Sequence, residues 1–492
     1  MTQKGEAESF IKWFSELNNK DVLIAGGKGA SLSEMYKNKF PIPPGFVVTA
    51  QSYDSFVDKT GIRNEVNSIL SKLDIEKNSD LVSASKKIRG LFNTALMPLD
   101  MQESIIEAYE ILSVDKDILD QSKQSALNIL KKTEEPNFVA VRSSAIGEFS
   151  ENASFAGQQE SFLNVKGPLT LINKIKACFS SIFTPRSIYY RAKKGFSNDK
   201  AKSAVVVQKM VNSDKSGVIF SSNLNSSKEV MIIEAVWGLG KGIVSGIITP
   251  DYYAVAREIE NLNILEKKIA DKKIAISGNS SGRIEIVQLK EEKSKQEVLS
   301  DYEIKILAQY ALKLEKHYSK PQDIEFAILG KEIFIVQSRP IYAKITEFIE
   351  NTNETKPILI GRGVYPRNVS GIIKVVNNLK ELENVKNGDI LVASILNSDI
   401  IFCMQKASAI IANTGGVTSP AAIISREIGL PLIVGAENAT ERLHDGMIVT
   451  LDSLNGKVYE QTREKEKTPE IFSDEEDIED ILLKELEKDS DT

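Results

Sequence analysis

The stretch PQDIEFAILGKEIFIVQSRPI, residues 321–341, concentrates more usable chemistry than any other part of the chain. It reads as two strands joined by a turn near Gly330 and Lys331. Side chains alternate along a strand, so with a three-residue turn Glu325 faces Gln337 across the pair. Gln337 and Arg339 are two apart and share that face. The opposite face, Ile324, Phe326, Ile328, Phe334 and Val336, is apolar and reads as core. One face then carries a carboxylate, an amide and a guanidinium. Oxygen donors such as Glu325 and Gln337 suit Mg²⁺ bridging nucleotide phosphates, with Arg339 on the phosphates themselves. A two-residue turn would break this register, and an ordinary polar sheet face is the alternative reading.

Two other stretches offer phosphate chemistry. In IAGGKGASLSEM, residues 24–35, Gly26, Gly27 and Gly29 let the backbone approach a phosphate and Lys28 adds a point charge. The spacing is not that of a Walker loop, and a plain turn before a helix is the competing reading. In FVAVRSSAIGEFSENASFAGQ, residues 138–158, a buried strand delivers Arg142, whose fork matches phosphate oxygens. The small-residue loop around Gly157 would close over the phosphates. The competing reading is a surface arginine beside a flexible loop.

These residues need strands and helices to position them. SAVVVQKMV and EVMIIEAVW are β-branched runs of strand length. The stretch from Ser300 to Tyr318 has helical spacing at Ile304, Leu307, Tyr310, Ala311 and Leu314. Later, GIIKVV, DILVAS, AIIAN, PLIVG and MIVTLD alternate with few helices, as in a small α/β domain. The expected class is α/β (α+β), with a large unit over residues 1–345, a polar linker over 346–356, a compact unit over 357–461 and an acidic tail over 462–492. In the tail, Ser473 with Glu476 fits a capping box, and Ile478, Ile481, Leu482 and Leu486 form an acidic amphipathic turn or two. It reads as a frayed helix docked on its own body or as a partner-binding peptide.

Composition narrows the classes. A chain of 492 residues suggests two to four domains, and 42% hydrophobic with 26% charged residues fits a globular protein. The net charge is −6, of which about −8 lies in Ser473–Thr492, so the body is slightly positive and without a basic block. That argues against nucleic acid as a partner. No run is apolar enough for a membrane span, and the N-terminus lacks a signal-peptide core. Two distant cysteines, Cys178 and Cys403, fit a reducing cytoplasm, and with only His317 and His444 a zinc site is not expected.

Taken together, GGKGASL, VRSSA…ASFAGQ, VVVQKMVNSDKSGVIF, IIEAVWGLG, TPDYY and HYSKPQDIEFAI…IFIVQSRP resemble the ATP-grasp domain of phosphoenolpyruvate synthase, pyruvate phosphate dikinase and rifampin phosphotransferase. GDILVAS…SAIIANTGGVTSPAAIISREIGLPLIVG…DGMIVTLDSLNGKVY resembles their swivelling phosphohistidine domain. The resemblance runs from about Leu17 to Tyr459 in family order. It implies ATP and Mg²⁺ as cofactors. Lys28, Arg142 and Arg339 would hold phosphates, Glu325 and Gln337 the metal, and Gln208 to Val211, Met210 included, the adenine. In such enzymes ATP phosphorylates a histidine on the swivelling domain, which carries the phosphoryl group to an acceptor.

Here the sequence departs from the family. Where the family motif reads TSHAA, this chain reads Thr418-Ser419-Pro420-Ala421-Ala422. Proline has no nucleophilic nitrogen, but it suits the first turn of a helix with Ser419 as N-cap. The helix end is therefore expected to persist and still attract an anion through its amides. His317 lies in the ATP domain and His444 in a loop, so neither replaces the carrier. Smaller departures are Phe149 after Glu148, Lys241 where the family has an acid, and Tyr365-Pro366-Arg367 where it has SPG. A pyruvate-binding barrel needs about 250 residues, so pyruvate chemistry is not expected to be completed on this chain. Two functions follow. One is an ATP-dependent phosphotransferase serving a bound acceptor, or a partner protein that carries an acceptor histidine or substrate domain. The other is a catalytically lost relative that binds ATP and regulates.

Overall fold

The computed structural model describes residues 9–461 apart from 76, 114–135, 147–148, 151–152, 155–159, 194, 196–200, 223–229, 259–261, 280, 342–355, 377–380, 382–384, 397–403 and 405. Gly157, Glu148, nearly all of the expected linker and the whole acidic tail with its capping box lie outside the described residues. Helix and strand are mixed throughout, as expected of the α/β (α+β) class.

The N-terminal unit is built on two antiparallel sheets. The first has the order β1-β2-β7-β3-β6, where β1 is Ile11–Trp13, β2 Gly45–Val48, β3 Val139–Ala145, β6 Ser161–Val165 and β7 Ser203–Lys209. A short pair, β4 (Phe149–Ser150) and β5 (Ala153–Ser154), lies between β3 and β6 in the chain. β3 and β7 are buried along almost their whole length, and their apolar stretches VAV and AVVV fit that burial.

The second sheet has the order β11-β10-β9-β8-β14-β15, where β8 is Lys215–Phe220, β9 Val230–Trp237, β10 Asp251–Ala256, β11 Ile264–Lys268, β14 Gln322–Leu329 and β15 Glu332–Pro340. A separate hairpin pairs β12 (Ile274–Gly278) with β13 (Ile284–Gln288). Helix α1, Val22–Lys37, packs against β7, β3 and β15 and so ties the two sheets together.

The short helix α2 spans Lys241–Val244, and α3 runs over Asp301–Tyr318. α3 starts at a complete capping box made by Ser300 and Glu303. It buries Ile304, Leu307, Ala311 and Leu314 as their spacing predicts, while Tyr310 is only partly covered.

The β14–β15 hairpin corrects two expectations. Leu329 pairs with Glu332, so the turn is the two-residue Gly330-Lys331, with Gly330 in the left-handed region at φ 59°. Yet Glu325 still pairs with Gln337, because the register shifts by one between Glu325 and Phe326. A bulge at Val336 supplies the residue that the shorter turn leaves out. Beyond the bulge the faces differ from the expected ones. Ile333 and Ile335 pack with Phe326 and Ile328 on the core side, while Phe334 and Val336 are half-exposed on the other.

The C-terminal unit is an eight-stranded sheet in the order β16-β23-β22-β18-β19-β20-β21-β17. Its strands are β16 Leu359–Ile360, β17 Arg362–Gly363, β18 Asn368–Val376, β19 Ile390–Ala393, β20 Ala409–Ala412, β21 Leu432–Val434, β22 Ile448–Asp452 and β23 Lys457–Glu460. β18 to β21 pair in parallel and the flanking strands antiparallel. Helix α4, Pro420–Ile428, crosses from β20 to β21. Ser419 is its N-cap, accepting from the Ala422 amide at 3.4 Å, Pro420 is its first residue, and Gly429 ends it at φ 71°.

This unit does not stand apart. Val218, Phe220, Ile232 and Val236 of the second sheet share one apolar cluster with Val417, Ala421, Ala422 and Leu432 of the C-terminal unit. Among the described residues no helix is long and apolar enough to cross a membrane.

Candidate nucleotide site

The site begins at a break in α1. Gly26 has φ 66° and ψ 177°, values no helix contains, so the chain turns there before the helical path resumes. A side chain at Gly26 is impossible for a second reason: a Cβ would lie 2.0 Å from the Ser144 carbonyl oxygen. Here the glycine allows a close approach of helix to strand rather than of backbone to phosphate. Ser144 secures that approach, donating to the Ala25 carbonyl at 2.7 Å and accepting from the Gly29 amide at 3.1 Å. Lys28, mostly buried, then extends along β3 and donates to the Ser143 carbonyl at 3.0 Å.

Arg142 of β3 sits at the centre. Its guanidinium donates to the Val336 carbonyl at 2.9 Å, to Glu325 Oε2 at 3.2 Å and to Gln337 Oε1. The first of these contacts explains the bulge: an extra residue falls out of the ladder, and its carbonyl turns to the arginine. Gln337 in turn donates to Glu325 Oε1 at 3.2 Å. Arg339 is held by Asp323, with Nε and Nη2 each 2.8 Å from Oδ2. Burial raises the Asp323 carboxyl above its ordinary range, opposed by Arg339. Guanidiniums and carboxylates thus satisfy one another across the hairpin.

A cavity of about 650 Å³ opens over these groups, within the size range of small-ligand sites. Gln208 and Lys209 at the end of β7, and Met210 and Val211 just after it, line it together with Lys28, Arg142, Glu325, Gln337 and Arg339. Gln208 is fixed by donating to the Pro43 carbonyl at 3.2 Å. Six cationic side chains (Lys28, Arg142, Arg186, Lys209, Lys241, Arg339) line it against two carboxylates, Asp323 and Glu325. Such an excess suits a polyanion.

The C-terminal unit also contributes to the wall, through Leu396, Thr418, Pro420, Ala421 and Ile423. Pro420 is therefore an ordinary helix starter and also a residue of the cavity wall. The turn ahead of this helix end does hold an anion, a side chain of the other unit, but on the Val417 and Thr418 amides and not on the helix's own first amides. Glu234 of β9 accepts from the Val417 amide at 2.9 Å, the Thr418 amide at 3.0 Å and the Thr418 hydroxyl at 2.6 Å.

The structure thus brings Lys28, Arg142, Gln208, Met210, Val211, Glu325, Gln337 and Arg339 to one cavity, as expected. His317 is elsewhere, on α3 with Nε2 2.9 Å from Glu34, and His444 lies in an exposed loop. Sequence reasoning missed Asp323, although it lies two residues before Glu325 and so on the same face. It also missed Arg186 and Glu234. The signal for Glu234 was a lone acid inside the apolar run VMIIEAVW.

Among the described residues no three His, Cys, Asp or Glu side chains group as a metal cage. Glu325 and Gln337, whose oxygens Oε2 and Oε1 both accept from Arg142 Nη2, offer the oxygen donors that Mg²⁺ uses beside substrate phosphates.

The profile of the family described as pyruvate phosphate dikinase, AMP/ATP-binding domain, matches residues 22–358, and that of the PEP-utilising enzyme, mobile domain, matches residues 385–456. A probable phosphoenolpyruvate synthase of Archaeoglobus fulgidus is 42% identical over 93% of this chain and 59% of its own length. One from Methanocaldococcus jannaschii is 42% identical over 84% of this chain and 34% of its own. The phosphoenolpyruvate synthase of Pyrococcus furiosus is 38% identical over 92% of this chain and 59% of its own. The chain thus spans well under two thirds of these relatives' length.

Proposed function

The chain belongs to the pyruvate phosphate dikinase AMP/ATP-binding domain family, and from that premise we propose that it is an ATP-dependent phosphotransferase without a phosphohistidine of its own. The phosphoryl group passes from MgATP to a bound acceptor, or to a histidine on a partner protein. Residues 1–345 form the nucleotide-binding unit and 357–461 the swivelling unit, and the protein works in the cytoplasm, where MgATP is abundant.

One observation carries the reading. The cations and carboxylates are arranged for exchange. Arg142 and Arg339 hold Glu325, Gln337 and Asp323. When ATP enters, the two guanidiniums and Lys28 turn to phosphate oxygens. Glu325 and Gln337 would then be free to hold Mg²⁺, which would supply positive charge to the phosphates. Glu325 has a counter-charge before and after, and Asp323 keeps one edge of the Arg339 guanidinium while the other edge turns to phosphate. Gln208, Met210 and Val211 bound the space for the base.

A second reading, an ATP-binding regulator, is favoured by Pro420. The wall from the C-terminal unit presents Pro420 and no histidine, and its one hydroxyl, Thr418, is tied to Glu234.

The test is a calorimetric titration with MgATP of the protein and its Lys28→Ala variant, followed by assay of AMP and ADP. A lost charge-assisted contact of about 1.5–3 kcal/mol predicts at least a ten-fold weaker binding for the variant. Product formation that needs Lys28 supports the transferase. Binding without turnover, even with candidate partners, leaves the regulator. Absence of binding sinks both.

A further inference from the structure

We propose that Glu234 is a positioning residue, a clasp that holds the C-terminal unit over the nucleotide cavity. Its carboxylate has no solvent exposure, and it crosses from the second sheet into the other unit. Oε1 receives the Val417 amide at 2.9 Å, and Oε2 receives the Thr418 amide at 3.0 Å and the Thr418 hydroxyl at 2.6 Å. Arg362 adds an ion pair at 3.3 Å while also donating to the Pro250 carbonyl at 3.2 Å. Hydrogen bonds to an ionised acceptor are about twice as strong as neutral ones. Away from water, an unpaired carboxylate here would be costly.

Gly416 completes the fit. A Cβ there would lie 2.3 Å from Glu234 Oε2, so only glycine lets the turn close on the carboxylate. The residues clasped are those just ahead of Pro420. Gripping Thr418 therefore fixes where Pro420 and Ala421 face the cavity. Arg426 of α4 reinforces the seat, donating to the Val417 carbonyl at 2.7 Å and lying 5.2 Å from the Phe220 ring centre. Burial lowers Arg426 to about 10, which leaves it charged at neutral pH between Glu234 and Asp323. The clasp and the phosphate-side pair Asp323–Arg339 thus share one electrostatic neighbourhood.

The clasp stands independently of phosphoryl transfer; only its effect on the nucleotide rests on the proposed function. Small-angle X-ray scattering of the full chain without nucleotide tests the first. Glu234→Ala is expected to raise the undocked population at least ten-fold and enlarge the radius of gyration. Glu234→Gln should restore part of the docking, because its amide oxygen still accepts a backbone N–H. Gly416→Ala, which keeps the carboxylate but blocks its approach, should expand the protein in the same way and serves where Glu234→Ala does not fold. A folded Glu234→Ala or Gly416→Ala protein with the wild-type radius overturns the clasp.

Stopped-flow release of a fluorescent ATP analogue, mant-ATP with Mg²⁺, tests the second. Release about ten-fold faster from the expanded variants supports a covering role. Unchanged release from an expanded variant overturns it. Failure of the wild type to bind the analogue sinks the nucleotide reading and leaves the scattering result to decide the clasp.

Discussion

The two walls of the cavity have different histories written into them. The sheet wall, β3 with β14 and β15, retains a full set of charged and amide groups in mutual contact. The wall from α4 retains its architecture, with Ser419 as N-cap, Pro420 at the first position and Gly429 at the end, but presents no histidine to carry a phosphoryl. Backbone requirements and chemical requirements are therefore separable here. A helix start asks only for a cap and a suitable φ, and proline meets it. A carrier asks for a nucleophilic nitrogen, which proline lacks. The sheet wall has no such freedom, because each of its groups is another's hydrogen-bond partner.

The hardest test of that contrast is to return chemistry to the α4 wall. Pro420→His should yield an acid-labile phosphoprotein on incubation with labelled MgATP, where the parent protein yields none. Arg142→Ala in the same background should abolish the label. A variant that binds MgATP yet takes no label would show that the sheet wall, too, has lost more than its contacts reveal.

The sheet wall can be attacked through its backbone. Deleting Val336 removes the bulge while leaving the two-residue turn. Gln337 and Arg339 would keep their partners and their face, because the deleted residue lies outside the ladder, but the carbonyl that accepts from Arg142 would be lost. That leaves part of the mostly buried Arg142 guanidinium without its acceptor, and we expect a loss of about 1–3 kcal/mol in denaturant unfolding, with weakened MgATP binding. A deletion variant of near-native stability that still binds nucleotide would mean that the bulge does not set the site.

That hairpin also shows where sequence reasoning reaches its limit. Alternation was enough to put Glu325, Gln337 and Arg339 on one face, and the pairing of Glu325 with Gln337 is as expected. It rests, however, on a two-residue turn plus a bulge instead of a three-residue turn. The two changes each move the register by one and cancel at Gln337, whereas Phe334 and Val336, on the turn side, change face. Nothing local in EIFIVQ marks the bulge. Its cause is Arg142, distant in the chain, which takes the Val336 carbonyl.

Glu234 was unreadable for the same reason. A lone acid in an apolar strand signals a buried partner, but its partner is a turn in another unit. The α4 start, by contrast, was readable in full, because N-cap, proline and terminal glycine act within a few residues of one another.

The smallest effect belongs to the substitution that removes proline without adding chemistry. Pro420→Ala keeps a good helix former at the first position, so α4 and the cavity wall should remain. Proline also restricts the unfolded chain, and its loss should cost about 0.4–1 kcal/mol by that route alone. Calorimetric MgATP affinity should stay within about two-fold of the parent, since Pro420 contributes no polar atom to the cavity and a two-fold change is only ~0.4 kcal/mol. A large fall in affinity would place Pro420 among the groups that shape the nucleotide site, and α4 would no longer be the wall that keeps only its backbone role. A small stability loss with unchanged binding would leave the division intact: proline starts the helix, and the sheet wall alone holds the phosphates.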